Sequence, residues 1–180
     1  MVRERNLTRS PQRTQENKIL RVFSLPPVIS VVKSFKKVEI KRGEFEISTD
    51  RSRLQIGRIH AFLSDESYWA QTRTREQTEI AIKNSICFGL YHNELQIGFA
   101  RVVSDRATFA YLGDVYVEEE FRGQGLSKWL MEVIVSHPDL QGLRRWLLAT
   151  LDAHGLYEQF GFARLRFPER WMEKTAPDAY

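Results

Sequence analysis

The sequence predicts a mixed α/β domain built around a central, mostly antiparallel sheet. Three runs of alternating apolar residues, at 86–90, 95–103 and 107–117, are joined by short polar turns such as His92-Asn93. Short connections of this kind pair neighbouring strands in antiparallel fashion. Four segments with helical spacing surround these runs, and the full order is βααβββαβαβ. At 180 residues the chain is long enough for one domain of ordinary size.

Basic residues are concentrated at the start of the chain. Residues 1–43 contain 11 Lys/Arg and 3 Asp/Glu, whereas residues 44–180 contain 16 and 20, so the net charge of +4 hides an acidic body. A basic body would indicate nucleic acid, and this acidic body does not, so we expect no nucleic acid partner; contact of the tail alone with RNA or an acidic surface is left open. We interpret 1–43 as a basic, partly disordered extension, with a partner-binding arm or a transit peptide left open.

The composition also limits the compartment and the cofactors. No apolar run reaches the ~18 residues that cross a membrane, so we expect no membrane partner. The single cysteine, Cys87, lacks a second cysteine for a disulfide or for a CxxC zinc site. These features suit a reducing cytosol, and we predict a cytoplasmic protein without a metal.

The first elements after the extension are a strand and two helices. Alternating residues predict the strand over 44–50, and helical spacing predicts a helix over 56–63 with Ser52 as its cap. Residues 64–73 are predicted as a loop. The spacing at 74–77 is that of a capping box, which opens a second helix through Asn84. Residues 28–40 fit either an extra strand or a short helix.

The second half of the chain contains the remaining elements. In the strand at 107–117, one parity carries apolar residues, namely Phe109, Tyr111, Val115 and Val117, and Gly113 marks a bulge or a close backbone approach. An amphipathic helix is predicted from Leu126 to Ile134, ending at Ser136-His137-Pro138. A buried strand is predicted at 146–149, then a helix over 153–160 capped by Asp152 and stopped by Gly161, then a strand at 162–167.

A glycine-rich turn, Arg122-Gly123-Gln124-Gly125, separates the end of a strand from the start of a helix. At such a point the first N–H groups of the helix are unpaired, and the dipole favours an anion such as phosphate. A Walker loop is excluded because no Gly-Lys-Ser/Thr follows. A Rossmann fingerprint would need a small residue at Lys128 and a parallel βαβ unit. ATP and NAD are therefore poor candidates.

Two motifs resemble those of the GCN5-related N-acetyltransferase (GNAT) family. The run Glu120–Gly125 matches its Gln/Arg-x-x-Gly-x-Gly/Ala signature, except that Glu120 replaces Gln/Arg. The run Ala153–Phe162 matches its Ala-x-x-Leu-Tyr-x-x-x-Gly-Phe hallmark, although Thr150 stands where many members have asparagine. The resemblance covers about residues 44–170 and implies the acyl-CoA N-acyltransferase fold for the domain, which we assign to 44–180.

The resemblance implies acetyl-CoA as the donor and direct transfer to an amine, so that Cys87 need not be a nucleophile. The pyrophosphate would lie on the amides from Arg122 to Ser127, and pantetheine would pair with the main chain of the preceding strand. The cofactor-binding residues expected on this basis are Val115, Tyr116, Val117, Arg122, Gly123, Gln124, Gly125, Leu126 and Ser127.

The resemblance also suggests which side chains perform the chemistry. Tyr157 occupies the position of the family's general acid, although its spacing also fits a core tyrosine. Asp114 is a candidate base or, equally, a structural partner for a nearby arginine. His154 is a second candidate base, and a water chain could replace any direct base.

The acceptor pocket is expected to include Tyr68 and Trp69, because the family's loop between the first two helices borders that pocket. Phe109 and Tyr111 fit either this pocket or the core, and Trp171 fits packing on the body or a homodimer contact. We therefore predict an acetyl-CoA-dependent N-acetyltransferase acting on a small-molecule or protein amine. The alternative is a non-catalytic CoA-binding or sensor module with a basic partner-binding tail.

Overall fold

The structure is a computed structural model that describes residues 36–176, which form one mixed sheet with helices on both faces. The strands of this part of the chain are β1 Glu39–Arg42, β2 Phe45–Ser48, β3 Ile86–His92, β4 Leu95–Ser104, β5 Phe109–Val117 and β6 Arg145–Leu147. Its α-helices are α1 Ile56–Ala61, α2 Arg75–Lys83, α3 Leu126–Val135 and α4 His154–Glu158. A π-helical turn, Phe62–Glu66, extends α1 into the segment predicted as a loop.

The sheet follows chain order from β1 to β6, and only the β5–β6 pair is parallel. The predicted mixed, mostly antiparallel fold is therefore confirmed. Strand β1 pairs with β2 and begins at Glu39, so the sheet includes four residues, 39–42, that we assigned to the N-terminal extension. The order of residues 1–35, which we predicted to be partly disordered, lies outside the described residues.

Each face of the sheet has its own apolar cluster. On one face α3 packs on β3 and β5, and Leu130, Met131 and Ile134 are fully buried. On the other face Ile59 and Leu63 pack with Phe99 and Tyr116. Burying an aliphatic side chain of this size contributes about 1.5–3 kcal/mol. Both faces are therefore closed, and the sheet can hold β5 rigidly between them.

A β-bulge changes which residues of β5 face each layer. Between the pairs Arg101–Gly113 and Phe99–Tyr116, one residue of β4 lies opposite two residues of β5, Asp114 and Val115. The positive φ of Asp114, 55°, marks the bulge. Phe109, Tyr111, Val115 and Val117, which share one parity in the sequence, therefore do not share one face of the sheet, because a bulge shifts the alternation by one residue. The residues on the α3 face are Ala110, Leu112, Val115 and Val117.

Strands β5 and β6 run side by side over only three residues. Phe109–Tyr111 pairs with Arg145–Leu147, and β6 then ends. Within the described residues, the rest of β5, from Leu112 to Val117, has no strand partner on that edge. The two strands therefore part, and the main chain at the end of β5 is open to a ligand.

The helix caps are confirmed at one helix and wrong at two. At α2 the capping box is present, since Thr74 Oγ1 accepts from Gln77 N–H and Gln77 Oε1 accepts from Thr74 N–H. Helix α1 begins at Ile56, as predicted, but its N-cap is Gln55 and not Ser52, and the N-cap of α4 is Ala153 and not Asp152. Neither predicted residue caps the helix.

The strand predicted at 162–167 is absent, and this segment is irregular. Phe162 packs on the core, but Leu165 and Phe167 remain 41% and 39% exposed. No second layer therefore covers the apolar side chains of this segment, and the neighbouring strand, β6, is only three residues long. An edge strand needs a covered face and a neighbouring strand of sufficient length, because its stability comes from side chains buried on one face.

Replacing Thr74 with alanine is expected to lower the free energy of unfolding by about 1 kcal/mol, because the amides of the first turn of α2 lose their cap. Urea denaturation measures the difference. Thr175→Ala, at an exposed position of the irregular C-terminal segment, is the control and should change stability little. Equal effects of the two substitutions would contradict a stabilising capping box.

None of the helices in the described part of the chain is long and apolar enough to cross a membrane.

Candidate functional site

A cleft of about 550 Å³ opens where β5 and β6 part. Its walls come from the loop before α2, the middle of β4 and β5, and the segment between β6 and α4. Five residues predicted for the site from the sequence line it together, namely Tyr68, Trp69, Asp114, Val115 and Tyr157. Tyr111 also lines the cleft, whereas Phe109 and His154 do not.

Asp114 lies at the floor of the cleft between two arginines. Its Oδ2 accepts from Arg73 Nη1 at 2.6 Å and from Arg101 Nε at 2.5 Å, and its Oδ1 accepts from Trp69 Nε1 at 3.3 Å. Burial raises the pKa of this carboxyl, but the hydrogen bond from Arg73 and the charges of both arginines outweigh burial and hold the pKa below its usual value. Asp114 is therefore an ionised partner of two guanidinium groups.

Sequence reasoning missed both of these arginines. Arg73 lies in a loop 41 residues before Asp114, and Arg101 lies on β4. The one available signal is the position of Arg101 within the apolar run 97–103, because a charge in a half-buried strand needs a partner. Only the register of β4 against β5 identifies that partner.

Tyr157 lies on α4 and lines the side of the cleft that this helix forms. Its ring is 8% exposed and meets Phe162 edge to face at 6.0 Å. Burial raises the pKa of the Tyr157 phenol to about 12, with smaller contributions from Tyr68 and Asp152. The hydroxyl makes no hydrogen bond to any residue in the range 36–176. It is therefore a protonated donor whose hydrogen bond is available to a ligand.

Two aromatic side chains join the walls of the cleft. Tyr68 Oη accepts from the backbone N–H of Leu151 at 2.8 Å, which ties the loop before α2 to the segment before α4. The rings of Tyr68 and Trp69 meet edge to face at 4.9 Å, and Trp69 reaches Asp114. The aromatic pair thus spans the cleft from its floor to its opposite wall and gives it a defined width.

The glycine-rich turn lies at the end of β5 and opens α3. Gly123 and Gly125 both have φ of 76°, a left-handed conformation that favours glycine. A Cβ on either residue would have no atom within 4 Å, so backbone conformation, and not packing against protein, calls for glycine here. The turn is exposed, as is suited to amides that receive an anion at the start of α3.

The charged residues around the glycine-rich turn differ in their contacts, and none of them covers the start of α3. Arg122 Nε donates to the carbonyl of Val117 at 2.9 Å, so one of its donors holds the turn against β5. Glu118 binds Arg58 Nη2 with both carboxylate oxygens, at 2.6 and 2.7 Å. Glu119 and Glu120 are exposed. The acidic triplet therefore leaves the helix N-terminus accessible.

The segment before α4 uses its polar side chain locally. Thr150 lines the cleft, and its Oγ1 accepts from the N–H of Ala153 at 3.1 Å. This bond fixes the chain just before α4 and so helps to place Tyr157. In the described part of the chain, no cluster of His, Cys, Asp or Glu could hold a metal ion.

Comparisons with known proteins agree with this arrangement. A family model described as the acetyltransferase (GNAT) family matches residues 56–162. A Gibberella zeae protein described as an acetyltransferase is 34% identical over 138 residues, which are 64% of this chain and 77% of that protein. A crystallised GNAT-family acetyltransferase of Xanthomonas campestris pv. campestris is 52% identical, with a TM-score of 0.72 over 74% of this chain and 94% of that one.

The fold also matches a more distant structure that contains a ligand. A GNAT acetyltransferase of Elizabethkingia anophelis with acetyl-CoA bound has a TM-score of 0.53 over 77% of this chain and 92% of its own. It is 15% identical to this chain, a likeness of fold alone.

Proposed function

We propose that this chain, which belongs to the acetyltransferase (GNAT) family, transfers the acetyl group of acetyl-CoA directly to the nitrogen of an amine. Membership of the family confirms the resemblance inferred from the motifs at 120–125 and 153–162, and the chain is an acyltransferase. The observation that carries the proposal is the cleft itself, which brings Tyr157 and the open edge of β5 together.

The residues around the glycine-rich turn fit the pyrophosphate of CoA. Gly123 and Gly125 hold the backbone in a left-handed conformation, and the turn is exposed at the start of the ten-residue helix α3. Unpaired N–H groups at such a helix end favour an anion. The N–H of Arg122 already donates to the carbonyl of Glu119 at 3.1 Å, so we assign only the amides of Gly123, Gln124, Gly125, Leu126 and Ser127 to the pyrophosphate. The bond from Arg122 Nε to Val117 leaves its two Nη groups for a phosphoryl oxygen.

The open edge of β5 fits the pantetheine arm, whose amide groups can pair with a strand. Within the described residues, the outer edge of Val115–Val117 has no strand partner, while β4 pairs with the other edge. Unpaired main-chain N–H and C=O groups at a strand edge are ready hydrogen-bonding partners. This edge would therefore guide the arm from the glycine-rich turn toward the cleft.

Acetyl-CoA supplies a thioester carbonyl for attack by the amine and a thiolate as leaving group. Tyr157 is the residue proposed to protonate that thiolate, because its phenol stays protonated at neutral pH and lines the cleft. Asp114 is ionised but fully engaged by Arg73, Arg101 and Trp69. We propose that Asp114 positions these side chains and that water, rather than Asp114, takes the proton of the amine.

Acetyl-CoA at about 100 times its dissociation constant is expected to stabilise the protein by about 2.7 kcal/mol. For a domain of this size that raises the melting temperature by roughly 5–10 °C, which differential scanning fluorimetry measures. Gly125→Val should reduce the shift strongly, because a β-branched residue is strained at positive φ. The matched control is Gly142→Val, since Gly142 also has a positive φ of 70° and no atom within 4 Å of a Cβ, but lies before β6.

Turnover distinguishes the enzyme from a CoA-binding or sensor module. A thiol-release assay over amine acceptors, both small molecules and peptides, should show CoA release that depends on the acceptor. Acetyl-CoA binding without release for any acceptor would support the sensor module, and no melting shift at millimolar acetyl-CoA would contradict both functions. Repeating the assay with longer acyl-CoAs tests the choice of donor.

A further inference from the structure

We infer that the acceptor is a small amine that also carries a carboxylate, and that Arg73 and Arg101 bind this carboxylate at the floor of the cleft. The inference rests on the proposed acetyl transfer and adds the chemical class of the acceptor.

The floor of the cleft has more positive than negative charge. Arg73, Arg101 and Asp114 are 20%, 15% and 3% exposed in their side chains, so two guanidinium groups share one buried carboxylate. A buried charge is costly unless it is paired. The arrangement therefore has one positive charge in excess, and a second carboxylate would neutralise it.

The two arginines also have donors to spare. Asp114 receives Arg73 Nη1 and Arg101 Nε, and Arg101 Nη1 reaches Ser85 Oγ at 3.4 Å. The other three donor groups, Arg73 Nε, Arg73 Nη2 and Arg101 Nη2, form no hydrogen bond to any residue in the range 36–176. Because both arginines line the cleft, these donors can bind a ligand carboxylate through charge-assisted hydrogen bonds.

Gly113 of β5 lies next to one of these donors, Arg101 Nη2, and two residues before Val115. Its backbone lies beside the bulge, and a Cβ at this position would be 3.7 Å from Arg101 Nη2 and 3.3 Å from the ring of Tyr111. The absence of a side chain thus leaves space next to the guanidinium group. A carboxylate bound there would be near Val115, the start of the main-chain segment assigned to pantetheine, so an amine on a neighbouring carbon could reach the thioester.

The rim of the cleft has the opposite charge. Asp152 and Glu173 line it and are exposed. Together with the positive floor, these carboxylates match an acceptor that carries both an ammonium and a carboxylate group. The cleft volume of about 550 Å³ and the Tyr68–Leu151 hydrogen bond that joins two of its walls suit a small molecule.

The test compares acceptors that differ only in the carboxylate, namely α-amino acids and the corresponding amino acid amides. The parent enzyme should show a higher kcat/KM for the acids. Arg73→Gln should lower kcat/KM for the acids about 10–100-fold, the effect of a lost hydrogen bond to a charged group, and leave the amides within about 3-fold. The carboxylate raises the pKa of the neighbouring ammonium, so a smaller fraction of the acids is the reactive free amine; this bias opposes the expected result.

Two further variants separate folding from binding. Arg101→Lys keeps a charge for Asp114 but removes the planar fork, and should show the same selective loss for the acids. Arg75→Gln removes an arginine of α2 whose partner is Glu79, outside the cleft, and should behave like the parent. The acetyl-CoA melting shift should stay the same in all variants, because these residues do not line the glycine-rich turn.

Binding of the amino acids is also measured without turnover, by calorimetry in the presence of CoA. Binding that Arg73→Gln abolishes, in a protein that releases no thiol, would support the carboxylate site and contradict the proposed transfer. Turnover with equal kcat/KM for acids and amides would contradict the carboxylate site and support the transfer. An equal loss for both acceptors in Arg73→Gln would also overturn the inference, since the arginines would then serve only Asp114 or the transfer step.

Discussion

Asp114→Asn is expected to lower the free energy of unfolding by about 3–5 kcal/mol, the cost of removing one partner from a buried ion pair. The substitution preserves the shape of the side chain but leaves Arg73 and Arg101 without a counter-charge at the floor of the cleft. Backbone strain does not contribute, because asparagine tolerates the left-handed conformation that Asp114 adopts at φ 55°. Urea denaturation monitored by tryptophan fluorescence measures the effect.

The pH dependence of stability provides an independent measure of the same cluster. The folded pKa of Asp114 is lower than its unfolded value, so its contribution is present above the unfolded pKa of about 3.9 and is lost as the pH falls through the folded pKa. The parent should therefore lose more stability than Asp114→Asn between about pH 5 and the acid limit of the native state. Asp65→Asn, at an exposed carboxylate, is the control and should keep the parent's profile.

The same variant distinguishes the two interpretations of Asp114. If Asp114 were a general base, Asp114→Asn would lose most of its activity but remain as stable as the parent. If Asp114 is a positioning residue, Asp114→Asn should lose stability and affinity for the acceptor. A change in unfolding free energy below about 1 kcal/mol, accompanied by a large fall in kcat, would contradict the role proposed here.

The sequence predicted the central hairpins of the fold, because their signals are local. Alternating residues and the turn after His92 indicated β3, β4 and β5, and these strands pair as antiparallel neighbours. The signals failed where tertiary structure decides. Alternation cannot reveal the bulge at Asp114, since one inserted residue changes the facing of the residues that follow it. Alternation also predicted a strand at 162–167, where none forms because no layer covers the apolar side chains.

The candidate site shows the same division between local and tertiary information. The two motifs indicated the glycine-rich turn and Tyr157, since both depend on residues close together in sequence. The cluster at the floor joins Arg73, Arg101 and Asp114, which are up to 41 residues apart. No local sequence pattern indicates that these three side chains are in contact. Their contact depends on the loop before α2, the register of β4 against β5 and the bulge at Asp114.

Tyr157→Phe is expected to lower kcat about 100-fold, the lower end of the usual effect of a general acid, because a thiolate is already a fair leaving group. Stability should change little, since the hydroxyl makes no hydrogen bond to any described residue. The acetyl-CoA melting shift should also remain. Tyr91 lies on β3, outside the cleft, and its buried hydroxyl makes no hydrogen bond to any described residue, so Tyr91→Phe is the matched control.

The pH profile of the parent tests why this tyrosine can act as the acid. Burial raises its pKa to about 12, so the protonated form persists over the range in which amine acceptors lose their protons. The rate should therefore rise with pH as free amine forms and show no fall up to about pH 10. If Tyr157 only packs in the core, Tyr157→Phe should turn over substrate at the same rate as the parent at every pH. A rate that falls above about pH 9 while the protein stays folded would mean that another, more acidic group supplies the proton.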